Sequence, residues 1–244
     1  MFSIIHFTEV DSTNNYLKDL LLKQEVEEGT VVSADVQTTG RGQRGNGWIS
    51  EKGKNLLFSI VLYPDMVKAS EQFVISRIAS LAVAEYLLKY VGDITIKWPN
   101  DIYWKDKKIC GILIENTLTS DIVSRSVIGA GININQTTFG RGAPNAVSLK
   151  QITGRTYDLE AMLKVIRNNI LLLYFEVRDG NVSGINARYR DLLFRRDGFY
   201  LYNDGANDFF ARIKDVEPNG MFVLETENGE EKKFAFKEVR YVLS

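Results

Sequence analysis

Apolar residues along the first 190 positions follow two rhythms. Short β-branched or aromatic runs at 2–7, 30–36, 55–62, 94–98 and 124–133 predict strands. Longer stretches with apolar residues three and four apart predict helices. One runs through Tyr16, Leu17, Leu20 and Leu21, with Asp11 or Ser12 as its N-cap. A second lies within 70–90, through Phe73, Ile78, Leu81, Ala84 and Leu88, and a third covers 159–177. Residues 102–104 and 109–115 flank the charged turn Lys105-Asp106-Lys107-Lys108 and predict a hairpin. Strands and helices do not alternate strictly. The pattern therefore predicts an α+β domain over 1–190, a mixed or antiparallel sheet with helices on one side.

Near Arg190 the rhythm changes. From Gly198 onward, short strands are punctuated by Asn203-Asp204-Gly205, Pro218-Asn219-Gly220 and Glu227-Asn228-Gly229. Such turns favour tight hairpins, so residues 191–244 are expected to form a small all-β domain or barrel.

Composition narrows the function classes. With 45% hydrophobic and 25% charged residues, the chain has the profile of an ordinary globular protein rather than a disordered one. A net charge of -1 argues against bulk attraction to nucleic acid or an anionic membrane. Cys110 is the sole cysteine and His6 the sole histidine, which excludes an intramolecular disulfide and leaves no credible zinc site. No apolar run approaches the roughly 20 residues of a membrane span. The N-terminus lacks the basic and apolar regions of a signal peptide, so a cytoplasmic location is expected.

Four segments carry candidate chemistry. Residues 37–54 hold five glycines and form a long loop, a kind of segment that is often functional. Within it, Gly40-Arg41-Gly42-Gln43-Arg44-Gly45 satisfies G-x-G-x-x-G. A dinucleotide fingerprint would open a helix there, whereas Trp48-Ile49-Ser50-Glu51 leads into another strand. The alternatives are a solvated glycine loop or a ligand loop. Glycines admit close backbone approach, arginines fork onto phosphate or carboxylate, and Trp48 can close over an apolar or aromatic ligand. In Lys97-Trp98-Pro99-Asn100-Asp101 the carboxylate can help hold a Mg²⁺ ion that travels with nucleotide phosphates. In Lys107-Lys108-Ile109-Cys110-Gly111-Ile112-Leu113-Ile114-Glu115, Lys107 reads as a solvated turn residue. Lys108, beside the apolar run, can turn a compact charge toward a phosphate. Cys110 reads as a small core residue. Gly129-Ala130-Gly131-Ile132-Asn133 marks a strand that a bulge or ligand can approach.

Taken in order with Asp11-Ser12-Thr13-Asn14 and Gln37, these segments resemble the biotin–protein ligase family over nearly the whole chain. The Gly-Arg-Gly loop and Lys-Trp-Pro-Asn-Asp are the most specific pieces. The resemblance implies a catalytic domain like the core of class II aminoacyl-tRNA synthetases, followed by an SH3-like barrel. It implies two steps: biotin and ATP give biotinyl-5′-AMP and pyrophosphate, and the adenylate then acylates one lysine of a biotin carboxyl carrier protein or domain. ATP and biotin are substrates, with Mg²⁺ accompanying ATP.

The resemblance also implies residue roles. Ser12, Thr13, Asn14 and Gln37 would bind biotin's ring system. Gly40, Arg41, Gly42 and Gln43 would order over biotin and the adenylate, and Gly111 and Leu113 would line the biotin slot. Lys108 would touch both the biotin carboxylate and the α-phosphate. Arg41, Arg44, Trp48, Lys97, Asn100, Asp101, Lys108 and Asn133 would surround the nucleotide, with Trp48 beside adenine. Lys108, Arg41 and Asp101 would carry catalysis, Asp101 as the candidate Mg²⁺ ligand. Many relatives carry arginine where Gln43 stands. Bifunctional relatives carry an N-terminal DNA-binding domain for which this sequence leaves no residues, so neither DNA nor membrane is an expected partner; a homodimer stays open. Two other readings remain: a lipoate–protein ligase using the same adenylate logic, and a non-catalytic adenylate-binding interaction protein.

Overall fold

The computed structural model describes residues 3–42, 47–140 and 142–242. Its larger sheet has seven strands. They are β1 (Ile4–Val10), β2 (Val31–Gln37), β3 (Leu56–Leu62), β4 (Ile94–Lys97), β5 (Asp101–Trp104), β6 (Lys107–Thr119) and β7 (Ile122–Ile132). Their order across the sheet is β1-β2-β3-β7-β6-β5-β4. Among the described residues only the β1–β2 strand pair is parallel, so the sheet is mixed, as the broken alternation of elements predicts.

β3 reads Leu-Leu-Phe-Ser-Ile-Val-Leu and is buried throughout, because both of its faces are covered. One face lies under α2 (Phe73–Leu87) and α4 (Leu159–Arg178), with α5 (Val182–Asp191) packed beside α2. Phe58, Ile60, Leu62, Ile128 and Ile132 join that core. α2 is apolar nearly all round, which suits a helix buried between sheet and helices. α4 lays its apolar stripe on α2.

The odd-numbered residues Val61 and Val127 face the other way. There they join Leu17 of α1 (Thr13–Lys23) in a smaller apolar cluster. Among the described residues α2, α4 and α5 thus share one face, and α1 covers part of the opposite one. Two short helices stand apart from the apolar rhythm. α3 (Leu149–Thr153) is set by a capping box between Ser148 and Gln151, and α5 starts where Asn181 accepts from Gly184 N at 3.2 Å.

The remaining strands are β8 (Tyr200–Asn203), β9 (Asp208–Val216), β10 (Phe222–Thr226), β11 (Glu231–Phe234) and β12 (Arg240–Tyr241). They form an antiparallel sheet in the order β11-β10-β9-β8-β12. Gly205, Gly220 and Gly229, the glycines of the three expected turns, all have positive φ. The sheet curls strongly: Tyr241 on β12 lies 5.9 Å from Phe222 on β10, although two strands separate them.

Trp98, beside the large sheet, and Arg77, on α2, both join this sheet to the rest of the fold. Trp98 stacks on Phe222 at 4.7 Å with 9° between the rings, and its indole N–H donates to the Gly220 carbonyl at 3.1 Å. Buried Arg77 of α2 donates to Asn186 and to the carbonyls of Val216 and Glu217.

Candidate functional site

A cleft of about 700 Å³ opens on the α1 face of the large sheet, between the start of α1 and the curled C-terminal sheet. Its floor exists because side chains are missing from it. Gly111 pairs with Gly131, and Leu113 with Gly129, across β6 and β7. A Cβ at position 129 would fall on Asn14 Oδ1. One at 131 would lie 2.6 Å from Trp48 Nε1, and one at 111 would lie 2.9 Å from Trp48 Cζ3. These three glycines let a helix end and an indole sit directly on the sheet.

The inner end of the cleft is polar and tightly bonded. The Gln37 side-chain oxygen accepts from Thr13 N at 2.7 Å and from the Thr13 hydroxyl at 3.1 Å. Gln37 thereby satisfies an orphan N–H at the start of α1. Ser12 occupies the N-cap position, but its side chain makes no capping bond. Ser59, the one polar residue of β3, is fully buried and bonds both the Thr13 hydroxyl, at 2.7 Å, and Asn14 Oδ1. The Asn14 side-chain nitrogen donates to Glu115 at 2.9 Å. These bonds orient the Thr13 hydroxyl and the Asn14 and Gln37 amides.

The glycine loop is pinned at its base. Trp48 N donates to the Gly40 carbonyl at 2.8 Å, and Arg41 bridges Gly47. A side chain at 40 would collide with the Trp48 carbonyl, so the turn demands glycine there. Trp48 is thereby set over Gly111 and Gly131, and the Lys108 ammonium lies 5.8 Å from its ring. Arg41 donates to Asn15 at 2.7 Å and to Glu115 at 3.3 Å.

The middle and outer parts are cationic. Lys108 pairs with Asp101 at 2.8 Å. Lys97 lies against the rings of Tyr103 and Tyr241, and burial pushes its pKa down. Arg41, Lys97, Lys108, Lys237 and Arg240 line the cleft, against one lining carboxylate among the described residues, Asp101. Such an excess of cations suits a polyanionic ligand. Among the described residues no three His, Cys, Asp or Glu side chains gather as a metal cage.

Of the residues singled out from the sequence, Ser12, Thr13, Asn14, Gln37, Arg41, Gly42, Trp48, Lys97, Asn100, Asp101, Lys108, Gly111 and Leu113 all line this one cleft. Gly40 and Asn133 are not among the lining residues. Gly40 shapes the loop base, and buried Asn133 carries backbone bonds to Ile109 and Leu149. Asn100 is buried and its side chain donates to the Ile112 carbonyl, which locks the turn between β4 and β5. Gln43 and Arg44 lie outside the described residues. Cys110 is fully buried in the core, and burial pushes its thiol far up.

Sequence reasoning missed Ser59, the positioning role of Glu115, and the C-terminal lining residues Phe236, Lys237, Val239, Arg240 and Tyr241. A lone serine inside an apolar strand is a signal for Ser59. The C-terminal residues carry no motif.

Comparison with known proteins points to one family. The Biotin/lipoate A/B protein ligase family matches residues 6–133. The bifunctional ligase/repressor BirA of Bacillus spizizenii is 31% identical over 251 residues, covering 94% of this chain and 71% of that protein. The biotin–[acetyl-CoA-carboxylase] ligase of Paracoccus denitrificans is 32% identical over 164 residues, covering 64% of this chain and 66% of that protein. A biotin protein ligase from Aquifex aeolicus, solved in complex with biotin and ATP, superposes with a TM-score of 0.82. It shares 26% identity and covers 99% of this chain and 100% of that one. The chain belongs to the biotin/lipoate A/B protein ligase family.

Proposed function

We propose that this protein is a biotin–protein ligase that forms biotinyl-5′-AMP from biotin and ATP and passes biotin to a lysine of a biotin carboxyl carrier protein. The observation that carries the reading is the cleft itself. An oriented hydroxyl-and-amide end, a glycine floor and a cation-rich end lie in one continuous space. The order suits the substrates. A cyclic urea offers one carbonyl and two N–H groups to Ser12, Thr13, Asn14 and the Gln37 amide. Gly111, Leu113, Gly129 and Gly131 leave a slot for a thioether ring and alkyl chain.

In the first step a biotin carboxylate oxygen bonds the α-phosphorus, and the bond from that phosphorus to the bridging oxygen of pyrophosphate breaks. Two anions must meet, so pre-placed cations do most of the work. Lys108 stands beside Gly111, where the alkyl slot ends, and Arg41 reaches across from the loop. The Asp101 partner keeps the Lys108 ammonium oriented before substrate arrives. No covalent enzyme intermediate is needed. The donor set fits a Mg²⁺ ion held by ATP phosphates with one protein carboxylate, Asp101, rather than by a protein cage. Such an ion would neutralise phosphate charge.

The chain-wide likeness to biotin ligases favours biotin over lipoate. Pyrophosphate release by the purified protein with ATP tests the choice. Release with biotin and not with lipoate supports the reading. Release with lipoate alone, or with neither acid, overturns it.

A further inference from the structure

The cleft runs across the sheet. Gln37 ends β2 and Lys97 ends β4, five strands apart in the sheet order, with Lys108 and Gly111 on β6 between them. At about 4.8 Å per strand spacing, that span is roughly 24 Å. For a ligand that begins at the Gln37 end and reaches Lys108, Lys97 stands next beyond, two strands further on.

Lys97 is held in a manner unlike the other lysine on the floor. Its ammonium lies 4.7 Å from the Tyr103 ring centroid and 5.0 Å from that of Tyr241, and it donates to the Tyr103 hydroxyl at 3.2 Å. Asp101, the carboxylate paired in register with Lys97, gives its ion pair to Lys108 instead. Among the described residues Lys97 has no ion-pair partner. Two aromatic faces attract an ammonium without cancelling its charge. The floor is thus left with two ammonium groups and one carboxylate, and the uncancelled charge sits at the outer end. Burial, with the nearby charges of Lys108 and Arg195, makes that charge costly in the absence of a ligand, although Asp101 relieves part of the cost. An arriving anion would remove the remainder.

We propose that Lys97, clamped between Tyr103 and Tyr241, is the catalytic residue that receives the pyrophosphate leaving group, and that Tyr241 makes the C-terminal sheet part of that site. The proposal rests on the adenylate-forming reading above. As the carboxylate oxygen bonds the α-phosphorus, the electron pair of the breaking bond stays on the bridging oxygen and departs with pyrophosphate. The Lys97 ammonium offsets that charge where it develops. Tyr241 is a positioning residue: its ring, not its hydroxyl, sets where the ammonium stands.

The test uses the full chain as wild type, Lys97→Met, Lys97→Arg, Tyr241→Leu and Tyr241→Phe. Three quantities are read: calorimetric binding of inorganic pyrophosphate, biotin-dependent adenylate formation, and biotin transfer to an acceptor from supplied biotinyl-5′-AMP. Lys97→Met is expected to slow adenylate formation by on the order of 100-fold and to weaken pyrophosphate binding, while transfer from supplied adenylate persists. Lys97→Arg is expected to recover part of the loss. Tyr241→Leu is expected to raise the KM for ATP more than that for biotin, and Tyr241→Phe to restore it. Wild-type pyrophosphate binding in Lys97→Met overturns the proposal, as does an equal loss in both half-reactions. Should the wild type form no adenylate from biotin, the enzymatic reading falls, while the pyrophosphate titration still decides whether Lys97 holds that anion.

Discussion

Glu115 and Asn14 meet at the inner end of the cleft, carboxylate oxygen to amide nitrogen at 2.9 Å. This contact decides which way the Asn14 amide faces, because Ser59 bonds its oxygen from the other side. The same carboxylate holds Lys18 at 2.8 Å and Arg41 at 3.3 Å. One acidic residue therefore orients a candidate biotin contact and anchors the base of the glycine loop. Glu115→Ala should loosen the Asn14 amide, whose nitrogen would keep only the 3.4 Å bond to the Leu113 carbonyl, at a cost of about 1–3 kcal/mol in biotin binding. Glu115→Gln keeps an acceptor for Asn14 and should recover much of it. Titration calorimetry with biotin is the measurement, and equal affinity in the alanine variant would remove Glu115 from this role.

The ionisation of Glu115 gives a pH prediction. Burial opposes the charged form, but hydrogen bonds from Lys18 and Asn14, with the charge of Arg41, outweigh it and hold the carboxyl below its usual range. A carboxyl whose pKa is lower in the folded state stabilises fully above its unfolded pKa of about 4.3 and loses that contribution as pH falls through the folded value. Wild type and Glu115→Gln should therefore differ in denaturant stability by a constant amount above about pH 5, and the gap should close on further acidification. A gap that widens with acid would show the opposite sign.

Glycines 129 and 131 are predicted to be intolerant of alanine. At 129 the added carbon lands on Asn14, and at 131 it lands on the indole of Trp48. Overpacking of this kind costs about 1–3 kcal/mol. The strain falls on cleft groups, so ligand affinity should drop well before the fold is lost. Gly129→Ala should affect biotin and Gly131→Ala the nucleotide. Normal affinities for both ligands in both variants would mean that the floor is softer than it looks.

Lys108→Ala should lower the rate of adenylate formation by about 10²–10³, on the order of 3 kcal/mol in transition-state stabilisation. Lys108 is partly exposed, and its loss also frees Asp101 from a 2.8 Å ion pair. The variant should fold, as circular dichroism would report. A folded variant with the wild-type single-turnover rate would exclude Lys108 from the chemistry.

Trp98→Ala should be the most destabilising of these changes. It removes the stack on Phe222 and the bond to the Gly220 carbonyl, from a side chain only 5% exposed. Comparable core truncations cost about 3–5 kcal/mol. Guanidinium denaturation followed by the fluorescence of the remaining tryptophans would report it. An unchanged midpoint would mean that the two sheets are held together elsewhere.

Much of the fold was legible from local pattern. Most strands and all three long helices lie within a few residues of where periodicity puts them, because amphipathic spacing survives in elements with one buried face. α5 was not legible: its sequence, Val-Ser-Gly-Ile-Asn-Ala-Arg-Tyr-Arg-Asp, buries only Ile185 and Tyr189. α3 was equally silent, at five residues. Trp98 shows another limit. Its place within Lys-Trp-Pro-Asn-Asp says nothing of a packing partner, yet besides lining the cleft it stacks on Phe222 and joins the two sheets.

The sequence by itself determined which chemical groups are present and in what order: the hydroxyl-and-amide start of α1, the glycine loop, Lys97 to Asp101, Lys108 and the Gly-Ala-Gly strand. It determined them because each is a local requirement, such as a helix start, a turn only glycine can make, or a strand without side chains on one face. Only the tertiary structure decided that Glu115 would orient Asn14 from 101 residues away, that buried Ser59 would connect Thr13 to Asn14, and that Tyr241 would clamp Lys97. Those relations depend on strand order and on how the C-terminal sheet curls against the larger one. Pairing across a sheet is set by the collective burial of both faces, and no single segment carries that information.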